Sequence, residues 1–270
     1  MAYKWAMLLR ARGIAISNME AFRIYLLSSF AGTFLPTSVG ADVVKLARTT
    51  LSTGKIENVA ASILMERAIG VMGLMALGLI GLSFLIAKDE YQFLTIFYST
   101  GIVFAGLAFV VALSLRNDIF HWLDTKLARW KKYKTTRMIL DSHSAYVDLG
   151  EHKRVLIWFF LLSMLEHTLL AFVNYCGGLA LGLPIQFVYF MAIIPIAGVI
   201  EMFPISIGGI GVAEGLYIVL FALAGLSAEE ALSLAIYMRA VGLLAVTPGA
   251  IVFVQDSMHL RRLRSNRKQS

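Results

Sequence analysis

The chain has 270 residues, of which 59% are hydrophobic and only 15% charged, with a formal net charge of +7. So few charges on so much apolar sequence exclude a soluble domain. The basic residues flank hydrophobic stretches, the pattern of cytoplasmic loops and anionic headgroups rather than of nucleic-acid binding, and the single Cys176 excludes an intramolecular disulfide.

Residues 1–17 read as a basic, partly apolar lead-in, with Trp5 at interface height and no cleavable signal peptide. Residues 19–34 are helical in composition and end at Phe34-Leu35-Pro36-Thr37-Ser38-Val39-Gly40. Proline lacks the amide proton a helix needs, and glycine accepts backbone angles that other residues resist. Pro36 and Gly40 therefore break the helix where membrane is expected. Residues 42–53 form a short amphipathic piece whose Lys45 and Arg48 lead with Lys55 to a basic, cytoplasmic exit. A long span follows over residues 56–87, carrying Glu66 and Arg67, and Lys88-Asp89-Glu90 makes an outside turn.

Residues 94–115 return without a charge, long enough to cross a bilayer. Residues 116–154 hold nine Lys/Arg against five Asp/Glu, which makes this segment cytoplasmic. Within it Ile119, Leu123, Leu127 and Trp130 share one helical face, as in an interfacial amphipathic helix. Residues 155–182 cross outward with Glu166 and His167, the latter expected to satisfy a local hydrogen bond, and with Asn174 as interhelical glue. Residues 184–202 are apolar up to Glu201, then break at Pro204-Ile205-Ser206-Ile207-Gly208. A helix with Glu214 resumes over residues 210–225, Ser227 caps the next, and residues 231–254 cross back with Arg239 to a basic tail.

The two breaks share Pro-x-Ser-(β-branched)-Gly, and each is followed by Arg-Ala-(β-branched)-Gly, at Arg67 and at Arg239. Two ordered echoes indicate internal duplication. Loop charge gives the two units opposite orientations, each entering, breaking and returning to its own side before a full crossing. The expected fold is all-α: a polytopic helix bundle of two inverted-topology repeats, each with a broken, re-entrant helix. One transmembrane domain spans residues 1–270, with repeat one at 18–87, linker spans at 88–183, repeat two at 184–256 and a basic tail at 257–270.

Charged side chains are expensive inside a bilayer and usually face a polar cavity. Arg67 and Arg239 lie at matched depth beside the breaks, and Asp42, Glu66, Glu166, Glu201 and Glu214 are their candidate partners, with Ser38 and Ser206 from the two motifs. Helices restarting after Gly40 and Gly208 aim amides and positive dipole ends inward. Together these groups suit a phosphate next to a cationic or zwitterionic group, as in a phospholipid headgroup. No Walker loop, GxSxG, HExxH or cysteine cluster is present, so neither enzyme, metal nor cofactor is expected.

Leu35-Pro36, Gly40, Asp42 and Lys45, then Glu66-Arg67 with Gly70, then Pro204-x-Ser206-x-Gly208-Gly209-x-Gly211-Val212-x-Glu214, then Arg239 and Pro248-Gly249, resemble the transmembrane region of the lysylphosphatidylglycerol synthases, a flippase-like family. The resemblance covers most of residues 3–254. It implies a multi-pass protein of the inner, cytoplasmic membrane, and the family's best-known members move aminoacylated phosphatidylglycerol between leaflets. Lys45 stands where arginine is common in the family, and Ala41 where glycine is. Further N-terminal spans usually precede the position of Trp5, so this chain is expected to start after them. The aminoacyl-transferase domain of the fused synthases is absent, so lipid lysylation is not expected. The leading reading is a lipid translocator. The alternatives are a non-catalytic membrane partner of a lipid- or glycan-modifying enzyme, or a small-solute secondary transporter. Phospholipids are the expected partners; among proteins, a second copy of the chain or a lipid-modifying enzyme.

Overall fold

A computed structural model describes residues 1–35, 40–116, 125–126, 134–203 and 210–256. Among them every regular element is helical: α1 (Ala2–Ala11), α2 (Asn18–Thr33), α3 (Gly40–Thr53), α4 (Ile56–Ile86), a single 3-10 turn (Tyr91–Phe93), α5 (Leu94–Ser114), α6 (Lys134–Glu151), α7 (Lys153–Ala180), α8 (Phe187–Glu201), α9 (Val212–Ala222) and α10 (Ala228–Val246). After Thr247 the last helix runs on to Asp256, so residues 228–256 form one span. Four helices are long and apolar enough to cross a membrane, namely α4, α5 with its preceding turn, α7 and the 228–256 span; α8 and α9 are apolar but shorter. The protein is a multi-pass membrane protein.

Helix ends follow local chemistry. Ser17 accepts the Glu20 amide at 3.1 Å and starts α2. Ser227 and Glu230 form a reciprocal capping box at the head of α10, with bonds of 3.2 and 2.8 Å. The expected amphipathic helix at residues 119–130 lies outside the described residues. The described remainder of that basic segment, α6, packs against α4 through Ala145, Tyr146 and Leu149.

The span α4 is the axis of the bundle. It packs against α1, α3, α5, α6, α7 and most extensively α8. Lipid tails are as apolar as leucine, so such contacts rest on close van der Waals fit rather than on the hydrophobic effect. At Gly81 the fit is tight: a Cβ there would lie 2.6 Å from the Ala192 backbone nitrogen of α8. Gly249, near the end of the 228–256 span, meets the Leu26 carbonyl and Phe30 of α2 in the same way. Gly81 thus brings α4 close against α8, and Gly249 brings the 228–256 span close against α2. Gly81→Ala should lower thermal stability in detergent by about 1–3 kcal/mol of overpacking. Gly70→Ala, where no atom lies within 4 Å of the added carbon, should be neutral or slightly stabilising. Equal melting of the two variants would remove the close crossing from the account.

Two residues sit elsewhere than expected. Residues 2–11 are a helix, and Trp5 is fully buried against α4, its indole N–H donating to Ser62 Oγ at 3.2 Å. It is a core residue, because α1 packs on α2 and α4 with its apolar face inward. Lys45 is only 4% exposed, turned into the bundle rather than out to a basic exit.

Candidate functional site

The charged residues that follow the two breaks fall into two constellations built on the same plan. In each, a short helix begins at the end of a Pro-x-Ser-x-Gly motif or shortly after it, carries an acid in its first turn, and is followed by a long helix bearing an arginine. Asp42 lies in the first turn of α3, and Arg67 Nε donates to its Oδ2 at 2.5 Å. Glu214 lies in the first turn of α9, and Arg239 Nε donates to its Oε1 at 2.7 Å. Both pairs are separated by 25 residues. Both arginines stand on the twelfth residue of their helix, counted from Ile56 and from Ala228, about 16 Å along it at helical rise.

The shift along the chain that carries Asp42 to Glu214 and Arg67 to Arg239 also carries Gly70 to Gly242, Lys45 to Tyr217 and Glu66 to Met238. At those last two positions the constellations part. In the first, Lys45 Nζ donates to Glu66 Oε2 at 2.6 Å and lies 3.6 Å from Asp42 Oδ1. Its ammonium also sits 4.8 Å over the Tyr25 ring and 5.2 Å over that of Trp5, and Tyr25 donates to Glu66 Oε1 at 3.2 Å. Two acids and two bases there satisfy one another.

In the second constellation a Tyr and a Met replace the inner pair, and the space stays open. A cavity of about 540 Å³ lies between α4, α7, α8, α9 and α10, lined by Tyr217, Met238 and Arg239 together with His167, Asn174 and Glu201. Most of the remaining wall is apolar, from residues such as Leu74 and Ile194. Tyr217 donates to Asn174 Oδ1 at 2.8 Å, tying α9 to α7 across the cavity. Glu214 has two duties, since its Oε2 also accepts the Gly211 amide at 2.7 Å and caps α9. Gly211 holds φ +83°, a conformation that favours glycine, and this turns the chain into the helix.

Of the residues expected at the site, Asp42, Glu66 and Arg67 come together in the first constellation, and Glu201, Glu214 and Arg239 in the second. Gly40 is the first residue of α3. Pro36, Ser38, Pro204, Ser206 and Gly208 lie outside the described residues. Glu166 belongs to neither constellation: Lys4 Nζ lies 2.8 Å from its Oε2 and donates to Ser163 Oγ, also at 2.8 Å. His167 Nε2 lies 3.3 Å from the Gly70 carbonyl. Lys4 and Tyr217 were not singled out by sequence reasoning, and Lys45 was read as part of a basic exit and of the family motif, not as a site residue. For the lysines the signal was their place near otherwise apolar stretches.

Residues 1–249 match the family model described as the lysylphosphatidylglycerol synthase TM region. The chain belongs to this family. The match is to the transmembrane part of the synthases, which places the protein in a family of membrane-lipid proteins. No curated protein and no solved structure matches it.

Proposed function

We propose that the protein moves the headgroup of a phosphate-bearing lipid across the cytoplasmic membrane, the tails staying in the bilayer. The observation that carries this is the cavity at Arg239: about 540 Å³ among membrane-crossing helices, apolar over most of its wall, with a guanidinium set into it. A guanidinium in a weakly hydrated site binds phosphate strongly and with fixed geometry. Glu214 beside it suits a positive group on the same headgroup, which favours a zwitterionic or aminoacylated lipid over a purely anionic one. The family match supports a lipid as the cargo. No ATP-binding motif is present in the sequence, so the movement follows the lipid gradient or a coupled ion.

The test is reconstitution into liposomes with fluorescent phosphatidylglycerol, its lysyl ester and phosphatidylethanolamine, with outer-leaflet quenching. Transfer faster than in protein-free vesicles, greatest for the lysyl ester, is expected. No acceleration for any of the three by folded protein would turn the reading toward a non-transporting partner of a lipid-modifying enzyme.

The equal 25-residue spacing of the two ion pairs and the matching arginine positions support a duplication. Opposite loop charge supports its inverted form, with each broken helix a re-entrant hairpin. With Cys176 replaced by serine, a cysteine at Ser52 should label from the cytoplasmic side and one at Ser227 from the other. Labelling of both from one side would exclude the inverted arrangement.

A further inference from the structure

Inside the helical bundle, four of five acids have a base of their own. Glu66 has Lys45, Asp42 has Arg67, Glu166 has Lys4 and Glu214 has Arg239. The fifth is Glu201. It ends α8, whose other residues are all uncharged, and among the described residues it makes no hydrogen bond and no ion pair. Its side chain lines the 540 Å³ cavity. The charges acting on it there are those of Arg239 and Glu214.

A carboxylate without a partner in an apolar wall is costly, and such residues are commonly functional. The charge count of the cavity says what this one can do. Arg239 and its partner Glu214 cancel, the Met1 ammonium on the wall stands 3.3 Å from Glu166 Oε2, and an ionised Glu201 adds one negative charge. A phosphodiester entering next to Arg239 would add a second, in a site where like charges repel strongly. If Glu201 takes up a proton as the phosphodiester enters, the net charge does not change.

We propose that Glu201 is the proton-exchanging group of the translocator, binding one proton from water in the cavity when a lipid phosphate enters beside Arg239 and releasing it when the phosphate leaves. This rests on the translocator reading above. The only bond made and broken is the O–H of the Glu201 carboxyl. Ionised Glu201 and the phosphate are like charges facing one cavity, so each disfavours the other. By linkage, proton and lipid then bind together.

Titratable groups on the neighbouring elements have other ties. Tyr217 of α9 donates to Asn174, and Glu214 of α9 is held by Arg239 and the Gly211 amide. From α4 the cavity wall takes Leu74, and just ahead of α1 it takes Met1, whose ammonium lies 3.3 Å from Glu166 Oε2. The residues of α5 near α8, Ser99 and Thr100, line a separate apolar groove with Pro195, Ile196 and Val199, on the opposite face of α8. His167 of α7 is the competing proton carrier: its Nδ1 has no partner among the described residues, and Glu166 and Lys4 act on its charge.

The full chain in phosphatidylcholine nanodiscs would be titrated with short-chain fluorescent phosphatidylglycerol, whose phosphodiester keeps one charge at every pH used. For the wild type, Kd should rise about tenfold per pH unit on the alkaline limb, the slope of one linked proton. Glu201→Gln should bind with a pH-independent Kd close to the acid-limb value, while Glu201→Asp and His167→Gln should keep the slope. In weak buffer the wild type should take up close to one proton per lipid bound, a reading that needs no variant. A wild-type Kd independent of pH, a slope that survives in Glu201→Gln, or one lost in His167→Gln would overturn the assignment of Glu201 alone. Failure of the wild type to bind either phosphatidylglycerol or its lysyl ester at any pH would overturn the translocator reading and this inference with it.

Discussion

Arg239→Gln should leave the protein folded and in the membrane, and should slow phospholipid transfer by roughly tenfold to a hundredfold, the worth of one charge-assisted phosphate contact. The first half follows from what Glu214 keeps. Without Arg239 its carboxylate still accepts the Gly211 amide at 2.7 Å and still sits in the first turn of α9, at the positive end of the helix dipole. The second half follows from the cavity, where Arg239 is the only lysine or arginine among the described lining residues. Transfer would be measured at equal reconstituted protein, with size-exclusion elution and melting temperature as controls for folding. Arg67→Gln is the comparison: Asp42 would keep Lys45 at 3.6 Å, so the fold should again survive. Loss of transfer in both variants would make the two constellations a single path. Loss in Arg239→Gln alone would confine the lipid to the open one. Failure of Arg239→Gln to accumulate would make the arginine a structural tie to Glu214 and remove the phosphate assignment.

What the sequence made legible depended on which signals are local. Spans read well because twenty apolar residues in a row have few other uses, and α4, α5 and α7 fall where hydropathy puts them. The cap at Ser227 read well because a capping box is a four-residue matter. Arg67, Arg239, Asp42 and Glu214 stood out because intramembrane charges are rare. Their pairing did not. The common 25-residue spacing becomes visible only when the pairs are known, since the Pro-x-Ser-x-Gly motifs lie at unequal distances from their arginines. Lys45 was taken with Arg48 as part of a basic exit, yet the two point different ways. Arg48 reaches Asp256 at 2.7 Å, while Lys45 turns inward to Glu66. Trp5 was misplaced for a related reason: a tryptophan near a chain end reads as an interface anchor, and its burial depends on α1 docking against α4, a long-range contact. The cavity could not be read at all: the echo at Arg67 and Arg239 sets Met238 opposite Glu66, but only the paired acids of the structure set Tyr217 opposite Lys45.

Substitution at Lys45 carries the largest expected effect on stability. Lys45→Met should destabilise the protein by about 3–5 kcal/mol, the cost of leaving a buried charge without its partner. Enough of the chain would then fail to fold for its yield from membranes to fall severely. Lys45 is 4% exposed and serves Glu66 and Asp42. With it gone, Asp42 retains Arg67, but Glu66 is left with the Tyr25 hydroxyl at 3.2 Å. The remedy is written in the other constellation, where Met238 occupies the place of Glu66. Lys45→Met combined with Glu66→Met should therefore recover most of the lost stability, since removing both ions of a buried pair costs little when apolar groups of similar volume replace them. Melting followed by fluorescence-detected size exclusion would compare the wild type, the single variant and the pair. A double variant no more stable than Lys45→Met would mean that the ammonium acts through the Trp5 and Tyr25 rings rather than through Glu66. In that case Lys45→Arg, which keeps a cation over both rings, should be the variant that retains the fold.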